Sequence, residues 1–318
     1  MLNSFYYYEY IVVLRNINSQ YMKPFIVSLL MLTSVYTWAQ KTDKALLRIK
    51  YDFSHMLDTN KRNDYYKETM LLVTGKDASA FLSYDKVLRD AEAKKSFEEQ
   101  YKQQGGDIRV MKSPPFKRPL RDTELFYFAK DGKRFIRENF GQVYIVEEKT
   151  DKINWNIHKD TLTISGIPCK KATAIYKGRN WIAWFAEELP FVSGPWKLAG
   201  LPGLILQAYD DKREVIFDFA GIEKVEEMRI KEKTGEGQFK KLGSSQWLTA
   251  SEIAVPTEGI KATSAEVNRL KEARAKDPVG FAKTQLANLG FGGITPVSTG
   301  TPTAANHTIQ TVNNPIEK

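Results

Sequence analysis

Between residues 121 and 225 no stretch keeps a helical apolar period for longer than a turn, yet short apolar runs recur throughout. LFYFA (125–129) and RFIRENF (134–140) flank a turn at Asp131-Gly132, and QVYIVEE (142–148) follows. TLTI (161–164), CKKATAIY (169–176) and NWIAWFA (180–186) are further strand candidates. GLILQAY (203–209) and REVIFDFAGI (213–222) flank a turn at Asp210-Asp211-Lys212. Strands this short and this closely spaced predict an antiparallel meander. The fold class is therefore mainly β: an antiparallel curved sheet or open half-barrel with one or two flanking helices.

The segments on either side fit that frame. Leu47, Ile49, Tyr51 and Phe53 alternate with Arg48, Lys50 and Asp52, the period of a half-buried strand. Residues 65–74 read as a second strand, with Gly75-Lys76-Asp77 as a turn. Residues 83–104 are charged and rich in helix formers. Ser83 is their candidate N-cap, Gly105-Gly106 stops the run, and the sparse apolar residues place this helix on the surface. The three prolines of 112–120 predict a loop. Beyond a polar stretch at 231–262, Thr263 or Ser264 caps a helix over 265–276 that ends at Asp277-Pro278. Residues 291–312, rich in Gly, Thr and Pro, read as a mobile tail. The expected organisation is a β-rich domain over 40–230 and a variable C-terminal region over 231–318.

Residues 22–39 are set apart from the fold. Lys23 gives a small positive start, 25–36 is apolar but too short to span a bilayer, and Thr37 and Ala39 suit a cleavage site after Ala39. This is the layout of a secretory signal peptide, and it predicts a periplasmic or secreted protein. Residues 1–21 read as an extension upstream of a start at Met22. Export removes the obvious use for the net charge of +9, since a nucleic-acid partner is then not expected. Lys and Arg are interleaved with Asp and Glu, as in residues 271–277, which is the pattern of a solvated surface.

One loop breaks the strand pattern. Residues 190–203 contain Pro190, Pro195 and Pro202 with Gly194, Gly200 and Gly203, yet also Phe191, Trp196 and Leu201. A loop so stiff and so apolar must bury something. Leu201-Pro202-Gly203-Leu204 fits a type II turn, with Gly203 supplying φ > 0. Just upstream, Trp181 and Trp184 lie three apart on a strand and should face opposite sides, one in the core and the other along a surface or cavity.

Here the chain resembles the GLPGLI family, through Gly200-Leu201-Pro202-Gly203-Leu204-Ile205. Cys169-Lys170-Lys171-Ala172, Gly178-Arg179, Trp181, Ala183-Trp184-Phe185, Leu189-Pro190 and Gly194-Pro195-Trp196-Lys197 extend the likeness, and Asn314-Pro315-Ile316-Glu317 resembles the family's C-terminus. The likeness is strong over 155–225 and weak over 230–312. It implies export, residence in a Gram-negative envelope and genes near outer-membrane receptor systems. The family's activity is not established, so the likeness carries over no catalytic residues.

The chemistry-bearing residues point away from an enzyme. The one cysteine, Cys169, has only His158 near it in sequence, and a lone strand Cys is ordinarily a small buried hydrophobe. The three histidines are scattered, and neither a nucleophile elbow nor a metal-protease or phosphate-binding motif occurs. No metal and no cofactor is expected. The expected role is a non-enzymatic envelope protein that binds an apolar ligand. The alternatives are docking on an outer-membrane receptor component with no ligand cavity, and a cysteine-dependent enzyme. Trp181, Trp184, Trp196, Leu201 and Arg179 are the candidate contact residues, with the 190–203 loop gating the mouth.

Overall fold

The computed structural model describes residues 42–103, 105, 120–225, 244–288 and 312–318. The upstream extension, the targeting segment, most of the 112–120 loop and nearly all of the expected tail lie outside the described residues. Among those described, fourteen strands form two sheets. The strands up to the middle of the chain are β1 (Thr42–Lys44), β2 (Leu47–His55), β3 (Tyr66–Thr74), β4 (Ala78–Ser83), β5 (Thr123–Phe128), β6 (Lys133–Asn139) and β7 (Val143–Lys149). Then come β8 (Asn156–Ile164), β9 (Ile167–Tyr176), β10 (Arg179–Ala186), β11 (Leu204–Asp210), β12 (Val215–Lys224), β13 (Glu252–Ala254) and β14 (Ile260–Ala262). Helix α1 (Tyr84–Gln103) separates β4 from β5, while α2 (Ser264–Lys276) and α3 (Pro278–Asn288) follow β14.

The large sheet has the order β14-β7-β6-β5-β4-β3-β2-β12-β11-β10-β9-β8, and the small one pairs β1 with β13. Two antiparallel meanders, β2 to β7 and β8 to β12, join where β2 pairs with β12. The short strand β14 pairs with β7 in parallel, so the sheet is mixed rather than wholly antiparallel. Its end strands do not pair with each other, which leaves it an open sheet rather than a closed barrel.

Connectivity forces this sheet to curl. From β7 to β8 there are eleven strands, hence ten gaps, or about 48 Å across if the sheet were flat. The chain crosses from Lys149 to Asn156 in seven residues, a reach of at most about 25 Å. Contacts across the opening agree with that limit. Trp155 Nε1 donates to Ala199 O at 2.9 Å, and Lys197 Nζ, from the β10–β11 loop, lies 3.2 Å from Glu148 Oε2 on β7.

Alternation along the strands divides the apolar residues between two faces. On β3, Met70 and Leu72 join the inner cluster with Ile49, Tyr51, Phe53, Trp181, Phe185 and Phe217. The intervening Leu71 and Val73 join the outer cluster with Leu82, Phe126 and Phe128, which Val87 of α1, Trp247 and Ile253 cover. Arg48 sits on that covered outer face and is itself buried, because its Nη2 donates to Ala250 O at 2.7 Å and its Nε to Trp247 O at 3.3 Å. Strand β4 lies where the sequence shows no strand. All six of its residues are buried, so it carries no polar alternation to read. Ser83 caps α1 as expected, its Oγ accepting from Lys86 N at 3.0 Å. Thr263 caps α2 in a reciprocal box with Glu266. The Asp277-Pro278 step ends α2 and also opens α3, with Pro at the first helical position and Asp277 Oδ1 accepting from Gly280 N.

The 190–203 loop folds into the inner face, where Leu198 and Leu201 are fully buried. Gly203 has no positive φ, which corrects the expected type II turn. Its requirement is close approach instead: a Cβ there would lie 2.2 Å from Ala186 O and 2.6 Å from Ala186 C. The positive φ of this motif falls at Gly200, at +91°, where a Cβ would meet open space. Gly200→Ala should therefore cost about 1–2 kcal/mol of backbone strain, whereas Gly203→Ala should cost more because backbone must move. Urea unfolding of the two variants checks this, and equal losses would refute the close-approach assignment.

Candidate functional site

Inside the curl the side chains leave a cavity of about 730 Å³, within the usual size range of small-ligand sites. Its lining draws on the inner faces of β2 to β7 and β12. Phe53, Met70, Phe81, Leu125, Val146 and Phe217 form an apolar floor, with Phe53 stacked on Phe217 at a centroid distance of 4.9 Å. Three further pieces complete the wall: Trp196 and Lys197 from the loop, Val267 and Lys271 from α2, and Pro315 and Ile316 from residues 312–318.

Trp196 reaches the wall through a strained turn. Leu198 N donates to Pro195 O at 3.1 Å, and Trp196, the residue after Pro195, has φ +55°. For a bulky residue this is an outlier. Its ring is held between Trp181, 5.5 Å away, and Tyr176, 6.0 Å away. Gly194 lets the loop close against Ile205 and Leu198 O, which a Cβ would approach within 2.8 Å.

Residues 312–318 form a strap held by Arg179. This side chain is almost fully buried and uses all five of its N–H groups. Nη1 donates to Asp210 Oδ2 (2.6 Å) and Glu214 Oε2 (3.0 Å), Nη2 to Asn314 Oδ1 and Pro315 O (2.7 Å each), and Nε to Ile316 O (2.9 Å). Asn314 Nδ2 donates to Met56 O at 2.7 Å, and Lys318 N to Lys177 O at 3.0 Å. Burial alone would raise the Glu214 carboxyl. The bonds from Arg179 and Lys318 outweigh it and hold this carboxyl below the usual carboxylate range.

His55 links the strap to the cavity. Its Nδ1 accepts from Arg121 Nη2 at 3.2 Å, so its Nε2 carries the proton and donates to Asn314 O at 2.8 Å. Burial, reinforced by the Arg121 cation, pulls the imidazole down to about 4. The Arg121 guanidinium lies over the rings of Phe53 (4.8 Å) and Tyr66 (5.4 Å). Burial also lowers its affinity for its proton below the ordinary arginine value.

The candidate contact residues therefore occupy different positions. Trp196 lines the cavity. Trp181 is buried beneath it and donates from Nε1 to Tyr176 O at 3.1 Å, while Trp184 is half-buried on the alternate side of β10; neither belongs to the lining. Leu201 is core and Arg179 is the strap's clamp. Within the motif Gly194, Pro195 and Gly200 shape the loop, and Pro202 leads into Gly203 against Ala186. Leu204 and Ile205 open β11 in the core. Cys169 and His158 are not hydrogen-bonded to each other: His158 Nε2 pairs with Thr173 Oγ1 at 2.8 Å, and burial pushes the Cys169 thiol up to about 11. Among the described residues no group of three or more His, Cys, Asp or Glu could hold a metal ion. Sequence reasoning missed Arg121, His55 and the strap's docking. The only signal for the last was the Asn314-Pro315-Ile316-Glu317 likeness.

Two expectations follow from the clamp and from His55. Arg179→Met would leave Asp210 and Asn314 buried without their partner, at a cost of about 3–5 kcal/mol. Hydrogen exchange at the amides of Asn313, Asn314 and Lys318 should accelerate as the strap loosens, and unchanged protection would sink the clamp assignment. For His55 the folded state stays neutral while the unfolded chain takes up a proton between pH 6.5 and about 4. Stability should thus fall as pH drops through that window, and the loss should be smaller in His55→Gln. Urea midpoints at pH 7 and about pH 4.5 check it; identical losses in both proteins would count against this role.

Comparisons with known proteins bear on the same region. Residues 147–207 match the model of a family described as a protein of unknown function (Porph_ging). That span runs from the end of β7 into β11 and contains Arg179, Trp196 and residues 200–205. No curated protein matches the chain. Two crystal structures of PNGF-II, in different crystal forms, are similar at 14% identity, with TM-scores of 0.42 and 0.43. Each alignment covers 71% of this chain and 32% of that one, so this chain spans about a third of the length of those structures.

Proposed function

We propose that this protein is a non-enzymatic binding protein of the bacterial cell envelope that takes an apolar ligand into the cavity of its open half-barrel. The observation that carries this reading is the cavity itself. Seven strands turn apolar side chains toward one space of about 730 Å³, and a loop, a helix and a strap wall it in. Export is part of the proposal and rests on the signal-peptide layout of 22–39. Envelope residence rests on the resemblance to the GLPGLI family through residues 200–205. No described helix is long and apolar enough to cross a membrane.

Two features favour this over docking without a ligand. Leu201, which a docking loop would present to a partner, is 1% exposed. The inner face also holds open volume beside its packed cluster. An enzyme built on Cys169 lacks support, since His158 is engaged by Thr173 and the thiol is driven away from thiolate.

The test is mass spectrometry of small molecules extracted from protein purified from its native envelope. A stoichiometric apolar compound is expected, and Leu125→Trp, which fills the floor, should reduce its occupancy severalfold. An empty native protein, or full occupancy in the filled variant, would overturn the reading.

A further inference from the structure

The charged groups around the cavity are not equally satisfied. Lys271 Nζ lies 2.6 Å from Glu138 Oε1, and Lys197 Nζ lies 2.7 Å from Glu317 Oε1 and 3.2 Å from Glu148 Oε2. Those cations meet carboxylates at close range. Arg121 does not. Its nearest carboxylate is Glu68, with Nε to Oε2 at 3.9 Å, beyond hydrogen-bond range. Glu68 is already occupied: Ser83 Oγ and Arg121's own backbone N donate to Oε1, and Tyr66 OH donates to Oε2. Arg121 Nε is buried and has no hydrogen-bond partner among the described residues, while Nη2 spends a bond on the neutral ring of His55. The guanidinium thus lies over Phe53 in the cavity wall with donor capacity left over.

Next to it the floor is aromatic and aliphatic, with Phe53, Phe81, Met70, Leu125 and Phe217 contiguous. A small anion would satisfy Arg121 and leave that floor uncovered. A purely apolar molecule would cover the floor and bury an incompletely paired cation, which is costly. We infer that the cavity takes an amphiphile with an apolar chain and one anionic head group, the head hydrogen-bonded by Arg121 and the chain laid over Phe53, Phe81, Leu125 and Phe217. This rests on the ligand-binding reading above and names the class of ligand.

The experiment titrates the full chain, stripped of bound small molecules, with dodecanoate, with dodecanol and with acetate or inorganic phosphate, following Trp fluorescence and calorimetry. Dodecanoate should bind roughly tenfold to a hundredfold more tightly than dodecanol, the range for a charge-assisted hydrogen bond, and the short anions should bind far more weakly. Arg121→Met should bring dodecanoate down to the level of dodecanol while leaving dodecanol unchanged; Arg121→Lys should keep part of the preference. The wild-type ratio decides the point even if the Met variant does not fold. Equal binding of acid and alcohol, or an equal loss of both in Arg121→Met, would overturn the head-group assignment and leave the cavity reading standing. Acetate or phosphate binding as tightly as dodecanoate would overturn the amphiphile and leave a simple anion site. Failure of both twelve-carbon probes to bind would overturn this inference together with the reading it rests on.

Discussion

The six residues between β7 and β8 must carry the chain from one meander to the far edge of the other. A flat sheet of that width is out of their reach, so the sheet curls, and everything inside follows from the curl. Inner-face side chains converge into one buried cluster, completed by chain that is not strand. The 190–203 loop supplies part of the filling with Leu198 and Leu201, and the strap and α2 wall in the remainder. A cavity is what remains where the filling stops.

Holding a loop and a strap inside a curved sheet needs polar anchors where water is scarce. Arg179 serves because its planar fork reaches two carboxylates and three groups of the strap at once. Such a buried pair adds little net stability over apolar packing, and its use lies in fixing one arrangement. Glycine serves the loop in two different ways. At Gly203 the backbone of Ala186 is too near for any Cβ, whereas at Gly200 only the dihedral is unusual. A run of Pro and Gly in sequence does not distinguish those cases, which is why the turn expected at Gly203 is absent although the glycine is required.

Much of the sheet was legible because its strands obey simple periods. Leu47 to Phe53 alternate, and the turns at Asp131-Gly132 and Asp210 to Lys212 separate hairpin strands. Strand β4 was invisible because both of its faces are buried, and α3 because Pro278 can end one helix and begin another. The site was harder to read. Trp196 and Arg179 stand out in any sequence, but Arg121 follows a proline-rich stretch and looks like one more surface cation. Its place in the cavity wall emerges only when Phe53, Tyr66, Glu68 and His55, from strands 50 to 70 residues upstream, are brought round it. Periodicity reports which face a residue takes, not which distant residue it meets there.

Trp196 shows how stability and position divide within this fold. A positive φ at a bulky residue costs of the order of 1–3 kcal/mol and persists only where its surroundings hold it. Tyr176 and Trp181 hold it here, and both are themselves anchored in the buried face of their strands. Stability alone would be better served by Gly or Asn at that turn, with the indole elsewhere. What the strained turn achieves is position: it lifts a large, rigid ring out of the loop and sets it along the cavity wall, beside the Lys197 group that ties the loop to β7. Trp181, three strand residues from Trp184, then reads as the support of the site and Trp196 as its surface. The curl creates the space, the clamp fixes its wall, and the strained turn decides which aromatic face lines it.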